Sequence, residues 1–275
     1  MLPLRKQDTN YYGTPNKGTF SVDFIHITLF SDIFTVMEPP VLSDPLKDSW
    51  WPYMIAIVVG LVTCIKSYMG GQDCPSKQTI HGKTVIITGA SSGIGYETAL
   101  ELAKRGATII LACRNMESGR NAISQIKKEV KNAKLLVKEL DLASLQSIHK
   151  FIKALEFKTI DILINNAGIA FHPFKKTSDG FEMHLVSNYL GHFLLTHLLL
   201  PKLKASSKAR IINMSAHSHL SADINLDDLN RESNYTPREA FAQSKLALLL
   251  MTHHMAKILK GIENNMMTLH VKLNY

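Results

Sequence analysis

From Lys83 onward, strand-like and helix-like patterns alternate along the chain. The strand candidates are continuous apolar runs, as is typical of strands buried on both faces, and cover residues 84–88, 108–113, 135–140, 161–165 and 210–215. Helix patterns lie between them, for example at 96–105 and 117–131. This alternation predicts right-handed βαβ units and an α/β fold, a Rossmann-type doubly wound parallel sheet with helices on both faces.

A glycine-rich turn follows the first of these strands and opens a helix. It reads Gly89-Ala-Ser-Ser-Gly93-Ile-Gly95. Glycines let the backbone turn tightly and approach a pyrophosphate, and the helix N-terminus supplies N–H groups and a positive dipole. Because the turn lies at a strand–helix junction, it predicts nucleotide binding; a glycine-rich turn without a ligand is the alternative.

Composition excludes several classes of protein. Hydrophobic residues make up 45% and charged residues 20% of 275 residues, so global disorder and fibrous repeats are excluded. The three cysteines, Cys64, Cys74 and Cys113, match neither a disulfide framework nor a zinc pattern. The histidine pairs 217/219 and 253/254 lack nearby acidic or thiol ligands, so no metal site is expected.

The formal net charge is +8, of which residues 1–65 carry −2 and residues 66–275 carry +10. A basic body suits anionic ligands or a membrane surface. There is no clustered Arg/Lys run and no nucleic-acid motif, so no nucleic-acid partner is expected.

The segment before the α/β region carries an apolar run. Residues 1–49 have no convincing period and are expected to be poorly ordered, whereas residues 50–69 are mostly apolar, with Trp50, Trp51 and Tyr53 at one edge and Tyr68 at the other. The length and the aromatic edges predict one transmembrane helix. A buried core helix or hairpin is the main alternative, and a cleaved secretory signal is disfavoured by the position of the run.

Charges beside this run predict its orientation. Lys47 precedes it, whereas Lys66, Lys77 and Lys83 lie at its end or beyond it. The positive-inside rule therefore places the following domain on the cytosolic side. Residues 70–82 are expected to form a linker, because they begin with a glycine pair and include Pro75.

Four motifs in order resemble those of the short-chain dehydrogenase/reductases, of which the first is that family's cofactor fingerprint, and the segments NYLGHFLLTHLLLPKLK and AFAQSKLALLL resemble its retinol-dehydrogenase-like branch. The four motifs are Thr88-Gly89-x-x-x-Gly93-x-Gly95, Asp141-Leu142, Asn165-Asn166-Ala167-Gly168 and the Asn188 segment VSNYLGHFLLT. The resemblance covers about residues 80–273. It implies hydride exchange between a nicotinamide cofactor and an alcohol/carbonyl pair on a hydrophobic substrate, such as a retinoid, isoprenoid or steroid.

The resemblance also implies roles for individual residues. Asn188 and Lys245 would serve the proton relay. The cofactor would be bound by Gly89, Ser91, Ser92, Gly93, Ile94, Gly95, Arg114, Asp141, Leu142, Asn165, Ala167, Gly168 and Lys245.

Arg114 bears on the choice of cofactor. A carboxylate at the end of the second strand would accept bonds from the ribose 2′-hydroxyl of NAD, whereas a cation there complements a 2′-phosphate. The sequence has Cys113-Arg114-Asn115 and no carboxylate before Glu117. This favours NADP over NAD; a solvent-exposed arginine without a ligand is the alternative.

The catalytic segment departs from the family pattern. The family has a tyrosine four residues before a lysine, but this chain has Phe241 four residues before Lys245, and a phenyl ring cannot transfer a proton. An ungapped reading puts Ala216 at the family's serine position, although a slip of one residue would let Ser215 serve. We therefore expect impaired turnover, and His217, His219 and Tyr235 are the candidate substitutes.

The last residues, 267–275, are expected to begin a sixth strand, so the domain at 83–275 is expected to be C-terminally incomplete, with an exposed sheet edge. The overall prediction is a membrane-anchored NADP(H)-dependent oxidoreductase of the endoplasmic reticulum, facing the cytosol and capable of forming a homo-oligomer. A catalytically inactive nucleotide-binding interaction protein and an incomplete gene product are the alternatives.

Overall fold

The computed structural model describes residues 50–69, 74, 76–262 and 267–273. The prediction for residues 1–49, and the part of the linker prediction that concerns 70–73 and 75, lie outside these residues. The chain divides into two compact units, Met1–Cys74 and Pro75–Tyr275, which are described separately.

The first unit contains one described helix, α1, over Trp51–Met69. Its apolar side chains face outward; Ile57, Val59 and Val62, for example, are each more than half exposed. Among the helices of the described residues, none has the length and apolar character needed to cross a bilayer. The helix expected from the apolar run therefore exists, and its insertion into a membrane stays a prediction.

The second unit is built on a six-stranded parallel sheet of order β3-β2-β1-β4-β5-β6. The strands are β1 (Thr84–Thr88), β2 (Thr108–Cys113), β3 (Lys134–Glu139), β4 (Ile162–Asn165), β5 (Arg210–Ala216) and β6 (Met267–Leu273). The connections reverse direction between β1 and β4, which is where open α/β sheets bind ligands beyond the carboxyl ends of their strands.

Helices connect the strands. They are α2 (Gly93–Lys104), α3 (Met116–Glu129), α4 (Leu145–Lys153), α5 (Gly191–Lys204) and α6 (Pro237–Ile262). A π-helical turn over Leu185–Leu190 leads directly into α5, and a short 3₁₀ helix over His217–Ser221 follows β5. Helix α2 begins three residues earlier than predicted, because the helical backbone starts within the glycine-rich turn.

The two faces of the sheet bury separate apolar cores. On one face, Ile86, Ile110 and Leu163 belong to a cluster with apolar residues of α4, α5 and α6. On the other face, Val85 and Ile109 belong to a cluster with residues of α2 and α3. Neighbouring strand residues belong to different clusters because successive side chains of a strand point to opposite faces of the sheet. Helices cover both faces, which confirms the prediction of a doubly wound sheet.

Strand β3 differs from the expectation of complete burial. Its residues alternate between exposed and partly buried, and it covers 134–139 instead of 135–140. It lies at one edge of the sheet and pairs only with β2 among the described strands. An edge strand has fewer neighbours, so the apolar run Leu135–Val137 stays partly accessible.

Asp161 connects the segments that lie at the amino ends of the central strands, opposite to the glycine-rich turn. Its carboxylate accepts hydrogen bonds from the Thr84 N–H at 2.9 Å, the Lys83 ammonium at 2.9 Å and the Ser206 hydroxyl at 2.7 Å. Burial raises the pKa of this carboxyl, but the three donors outweigh burial and the net shift is downward.

Candidate functional site

The glycine-rich turn has a backbone that only glycine can adopt without strain. Gly89 and Gly93 have φ of 64° and 56°. A Cβ on Gly89 would lie 2.9 Å from the Ala167 Cα, and a Cβ on Gly95 would lie 2.5 Å from the Gly89 carbonyl oxygen. Around this packed base, the side of the turn formed by Ser92, Gly93 and Ile94 is open to solvent.

Thr88 joins the turn to the segment that follows β4. Its hydroxyl oxygen accepts hydrogen bonds from the Asn166 and Ala167 N–H groups, each at 2.9 Å. The Asn166 side chain returns a bond from Nδ2 to the Thr88 carbonyl at 2.9 Å. Sequence reasoning quoted Thr88 and Asn166 within motifs and assigned no role to either.

Asn165 lies deeper than its neighbours. Its side chain is fully buried and donates through Nδ2 to the Thr196 hydroxyl at 3.0 Å and to the Asn213 Oδ1 at 2.7 Å. Asn213 in turn donates to the Thr252 hydroxyl at 2.8 Å. Hydrogen bonds of Asn165 and Asn213 thus connect β4, β5, α5 and α6 behind the cavity described below. Asn165 would therefore support a ligand only indirectly, by positioning these elements.

Asn188 lies within the π-helical turn and is fully buried. Its Oδ1 accepts from the Ile169 N–H at 2.8 Å, and its Nδ2 donates to the Ile169 carbonyl at 3.0 Å and to the Ser244 hydroxyl oxygen at 2.9 Å. The extra backbone residue of a π-helical turn re-aims a side chain, and such turns are frequent at functional sites. Asn188 therefore couples the segment after β4 to α6.

His192, on α5, was not singled out by sequence reasoning. Its Nδ1 donates to the Asn188 carbonyl at 3.1 Å, which leaves Nε2 to accept from the Thr88 hydroxyl at 3.0 Å. Burial lowers the pKa of His192 to about 4, with a further lowering from the Lys245 charge, so the ring is neutral near pH 7. No signal in the sequence pointed to this role, because the partner Thr88 is far away in sequence.

Lys245 presents its amine to the same region. It is 6% exposed, and its Nζ donates to the Met214 carbonyl oxygen at 3.0 Å. Burial lowers the pKa of the ammonium to about 8. A Cβ on Gly168 would lie 3.3 Å from Nζ and 3.2 Å from the Asn188 Oδ1, so this glycine keeps the approach to both groups open.

These groups surround one cavity of about 920 Å³. The larger part of its wall is apolar. The apolar side chains are Ile94, Ile169, Ala170, Phe171, Met214, Ala216, Leu220 and Phe241, and the polar ones are Asn166, Ser215, His217, Ser218, Ser221, Arg238 and Lys245. The cavity therefore extends from the glycine-rich turn to the lysine. Such a volume and lining suit an organic ligand.

Phe241 is buried one helical turn before Lys245. The Lys245 Nζ lies 5.9 Å from the centroid of its ring, and the Phe171 ring packs against it at 5.5 Å between centroids. Ser215 and Ala216 both line the cavity, but the Ser215 hydroxyl donates to the Lys245 backbone carbonyl at 3.2 Å. Neither Phe241 nor Ala216 offers an exchangeable proton.

The three candidate substitutes occupy different surroundings. His217 lines the cavity. His219 is buried and donates through Nδ1 to the Ala216 carbonyl at 2.6 Å. Tyr235 donates to the His172 carbonyl, and burial together with the Glu182 charge raises the pKa of its phenol to about 12. Of the three, only His217 is part of the cavity wall.

A buried Glu182–His184 pair, missed by sequence reasoning, supports the segment beside Phe171. The His184 Nδ1 donates to the Glu182 Oε1 at 2.8 Å, and its Nε2 accepts from the His172 N–H at 3.0 Å, so the imidazole is neutral. Burial raises the pKa of the Glu182 carboxyl, but hydrogen bonds from His184 and from backbone N–H groups outweigh it and lower the pKa. The pair orders the loop that carries Phe171 to the cavity.

The remaining predicted residues follow β2 and β3. Arg114 is exposed immediately after β2, beside Asn115, whose side chain caps α3. The Asp141 Oδ1 accepts from the Ala143 N–H at 2.9 Å. Leu142 is buried against Gly191, where a Cβ would lie 2.5 Å from the Leu142 carbonyl oxygen. These three residues contribute no wall to the 920 Å³ cavity.

Comparison with known proteins adds an independent finding. The model of the family described as short chain dehydrogenase matches residues 83–263. Retinol dehydrogenase 13 of Homo sapiens is 49% identical over 219 residues, covering 78% of this chain and 66% of the relative. Retinol dehydrogenase 12 of Bos taurus is 44% identical over 218 residues, covering 74% of this chain and 69% of the relative.

A solved structure extends the comparison to three dimensions. The crystal structure of a protein from Mycobacterium paratuberculosis matches with a TM-score of 0.63 and 41% sequence identity, covering 70% of this chain and 69% of that one. The chain thus spans about two thirds of the length of the relatives that it matches.

Proposed function

Since this chain belongs to the short chain dehydrogenase family, we propose that it binds NADP(H) at the 920 Å³ cavity, beside a hydrophobic alcohol or carbonyl compound. We further propose that its turnover is strongly impaired. The observation that carries both parts is the pairing of an open glycine-rich turn with an amine, Lys245, whose neighbour Phe241 has no phenolic proton.

The residues present fit a dinucleotide. Gly95 packs so closely on Gly89 that a Cβ at position 95 could not be accommodated. The open side of the turn and the N-terminus of α2 are accessible to a diphosphate. Gly168 likewise leaves space in front of Asn188 and Lys245. When bound, the cofactor would supply hydride transfer to or from the substrate carbon.

The chain's own residues divide the remaining tasks. The backbone of Ser92 to Gly95 would bind phosphate, and Lys245 would hold a ribose hydroxyl through its N–H donors. Asn188 orients the Ile169 backbone beside the cavity. The proton that must accompany hydride transfer has no donor at position 241 or 216. General acid–base groups contribute about 10²–10⁴ in rate, so a loss of that order is expected.

Arg114 supports NADP over NAD in this proposal. It is exposed after β2, and Glu117, the first carboxylate that follows, is the second residue of α3, beside the Asn115 cap. A cation at this place would pair with a 2′-phosphate, whereas no carboxylate between β2 and Glu117 is available to accept a bond from a 2′-hydroxyl.

The substrate class and the cellular location also belong to this proposal. The printed names of the curated relatives are retinol dehydrogenases, and the mostly apolar wall of the cavity suits a retinoid or another isoprenoid or steroid-like compound. Such substrates partition into bilayers, and α1 exposes an apolar surface. We place the chain on the endoplasmic reticulum membrane with the α/β unit in the cytosol.

A second candidate function is a nucleotide-binding protein without enzymatic activity. The combination of Phe241 and Ala216 favours it, because both proton-handling positions lack a titratable group while the turn and Lys245 remain. The two candidates share cofactor binding and differ in turnover.

The test of the shared part is a titration of the purified chain with NADPH and with NADH, followed by fluorescence. Charge-assisted contacts contribute about 1.5–3 kcal/mol, so NADPH should bind at least about tenfold more tightly than NADH, and Arg114→Asp should abolish or reverse the preference. Lys128→Asp, near the far end of α3, makes the same charge change and should leave it intact. Equal affinities in the unaltered chain would contradict the assignment.

A further inference from the structure

The amine of Lys245 lies in the cavity without a carboxylate partner. Among the residues that line the cavity there is no aspartate or glutamate, and the other basic members are Arg238 and His217. The Met214 carbonyl oxygen accepts one of the N–H bonds, at 3.0 Å. An amine in these surroundings is held in place but is not neutralised by an ion pair.

The larger part of the cavity wall around the amine is apolar, although Asn166, Ser215, Ser218 and Ser221 also line it. Phe241 contributes a phenyl ring where a phenol would compete for the amine, and Phe171 packs on that ring. Ile169 and Leu220 extend the apolar wall. A neutral apolar compound carrying one polar terminal group would lose little on entering, because hydrocarbon burial is favourable and its polar end would face Lys245.

We propose that Lys245 is a nucleophile that captures apolar aldehydes as an imine, an activity that needs no nucleotide. The lone pair of the neutral Nζ adds to the aldehyde carbon and gives a carbinolamine. Loss of water, which carries away the aldehyde oxygen and both amine hydrogens, leaves the carbon–nitrogen double bond. Nothing is oxidised or reduced in this step, so no co-reactant is required.

One property of the site favours the reactive form of the amine. Burial lowers the pKa of Lys245 to about 8, so a substantial fraction is neutral at pH 8, whereas an exposed lysine near 10.4 is almost fully charged. The charged and titratable groups near it are Arg238 on its own helix, His217 in the cavity wall and His192, which is neutral.

The experiment uses the full chain without nucleotide. The chain is incubated with decanal, trapped with sodium cyanoborohydride, digested and mapped by mass spectrometry. At pH 8 Lys245 should acquire the decyl group at least about tenfold faster than Lys257, an exposed lysine of the same helix. Labelling at Lys245 should rise from pH 6 to 8 and then level off, while labelling at Lys257 should continue to rise.

Two variants complete the test. Lys245→Arg keeps the positive charge but cannot form the imine, so the selective label should disappear, whereas Lys257→Arg should not affect it. If the circular dichroism spectrum shows that Lys245→Arg is unfolded, the relative labelling of Lys245 and Lys257 in the unaltered chain decides whether the proposal holds. Labelling of Lys245 no faster than that of Lys257 in a folded chain would overturn the proposal. Because the assay contains no nucleotide, a failed NADPH titration with intact labelling would count against the proposed cofactor function only.

Discussion

Phe241 and Ala216 stand at the two positions to which the proposed function assigns proton handling. Both line the cavity, one with a ring and the other with a methyl group, and neither side chain carries a titratable proton. Lys245, one turn further along α6, remains to hold a ligand. Binding and chemistry are thus assigned to different side chains and can be separated by substitution.

The double variant Phe241→Tyr with Ala216→Ser should raise turnover of retinaldehyde with NADPH far more than either single change. A phenol without a serine beside it leaves the substrate oxygen poorly oriented, and residues that act as a unit are non-additive. The gain should reach about 10²-fold, measured by the absorbance of NADPH.

Phe193→Tyr serves as the matched control, since Phe193 lies on α5, is exposed and does not line the cavity. It should leave turnover at background. If Phe241→Tyr alone restored the full rate, the role given to Ala216 would be wrong.

Sequence reasoning found some of these residues and missed others for a physical reason. Glycines at fixed spacing are a local signal, so the turn could be identified without a structure, and Lys245 was identified by the resemblance of its segment to the family pattern. The partnerships of His192 with Thr88 and of His184 with the His172 backbone join separate elements. No spacing in the sequence encodes them.

Among the elements, the π-helical turn Leu185–Leu190 organises the site. Asn188 from this turn binds the Ile169 backbone and Ser244, and its carbonyl accepts from His192. Since His192 also meets Thr88 before the glycine-rich turn, β1, the π-helical turn and α6 are joined through buried hydrogen bonds. The relative position of these three elements should depend on the neutral state of the His192 imidazole.

Acid should therefore destabilise the α/β unit through His192. Its folded pKa of about 4 lies below the unfolded value near 6.5, so the unfolded chain binds the extra proton first. The contribution to stability is complete above about pH 6.5 and is lost as the pH falls toward 4, with a total of up to about 3 kcal/mol.

Urea unfolding of the chain and of His192→Gln at several pH values measures this effect. The variant should be less stable at pH 7 and should show a flatter decline between pH 6.5 and pH 4. His254→Gln, an exposed histidine of α6, should behave like the unaltered chain. Parallel pH curves for the chain and His192→Gln would rule out this linkage.

Strand positions were the most predictable elements, because four of the predicted runs lie on β1, β2, β4 and β5 within one residue at each end. The predicted bounds of β3 were one residue too late, and the strand was predicted to be more buried than it is. Its exposure results from its position at the edge of the sheet, which depends on the tertiary structure and not on the local sequence. The sequence predicted a doubly wound parallel sheet with a sixth strand, but the order β3-β2-β1-β4-β5-β6 came from the structure.

At the scale of the whole molecule, the two units carry different kinds of surface. The α/β unit buries its apolar residues in two cores. Helix α1 instead exposes apolar side chains along its length, and such a surface is unusual for a helix in water. The sequence predicted this segment as a transmembrane helix; the helix is present, and its insertion into a membrane stays a prediction.

Alkaline carbonate extraction of cell membranes tests the association proposed for α1. The full chain should stay in the pellet, and deletion of residues 50–69 should release it. The variant Val58→Asp with Val62→Asp keeps the chain length and should also be released, because charges on α1 oppose lipid contact. Recovery of the full chain in the carbonate supernatant would contradict the proposed membrane association.

Two measurements on one preparation test whether this chain binds the cofactor but hardly transfers hydride. Calorimetry with NADPH gives the affinity, and rapid mixing of the loaded chain with excess retinaldehyde gives the rate of NADPH oxidation in a single turnover. We expect saturable NADPH binding and oxidation at the background rate. Rapid oxidation by the unaltered chain, abolished by Lys245→Ala, would contradict it and would identify His217 as the first candidate for the missing proton donor.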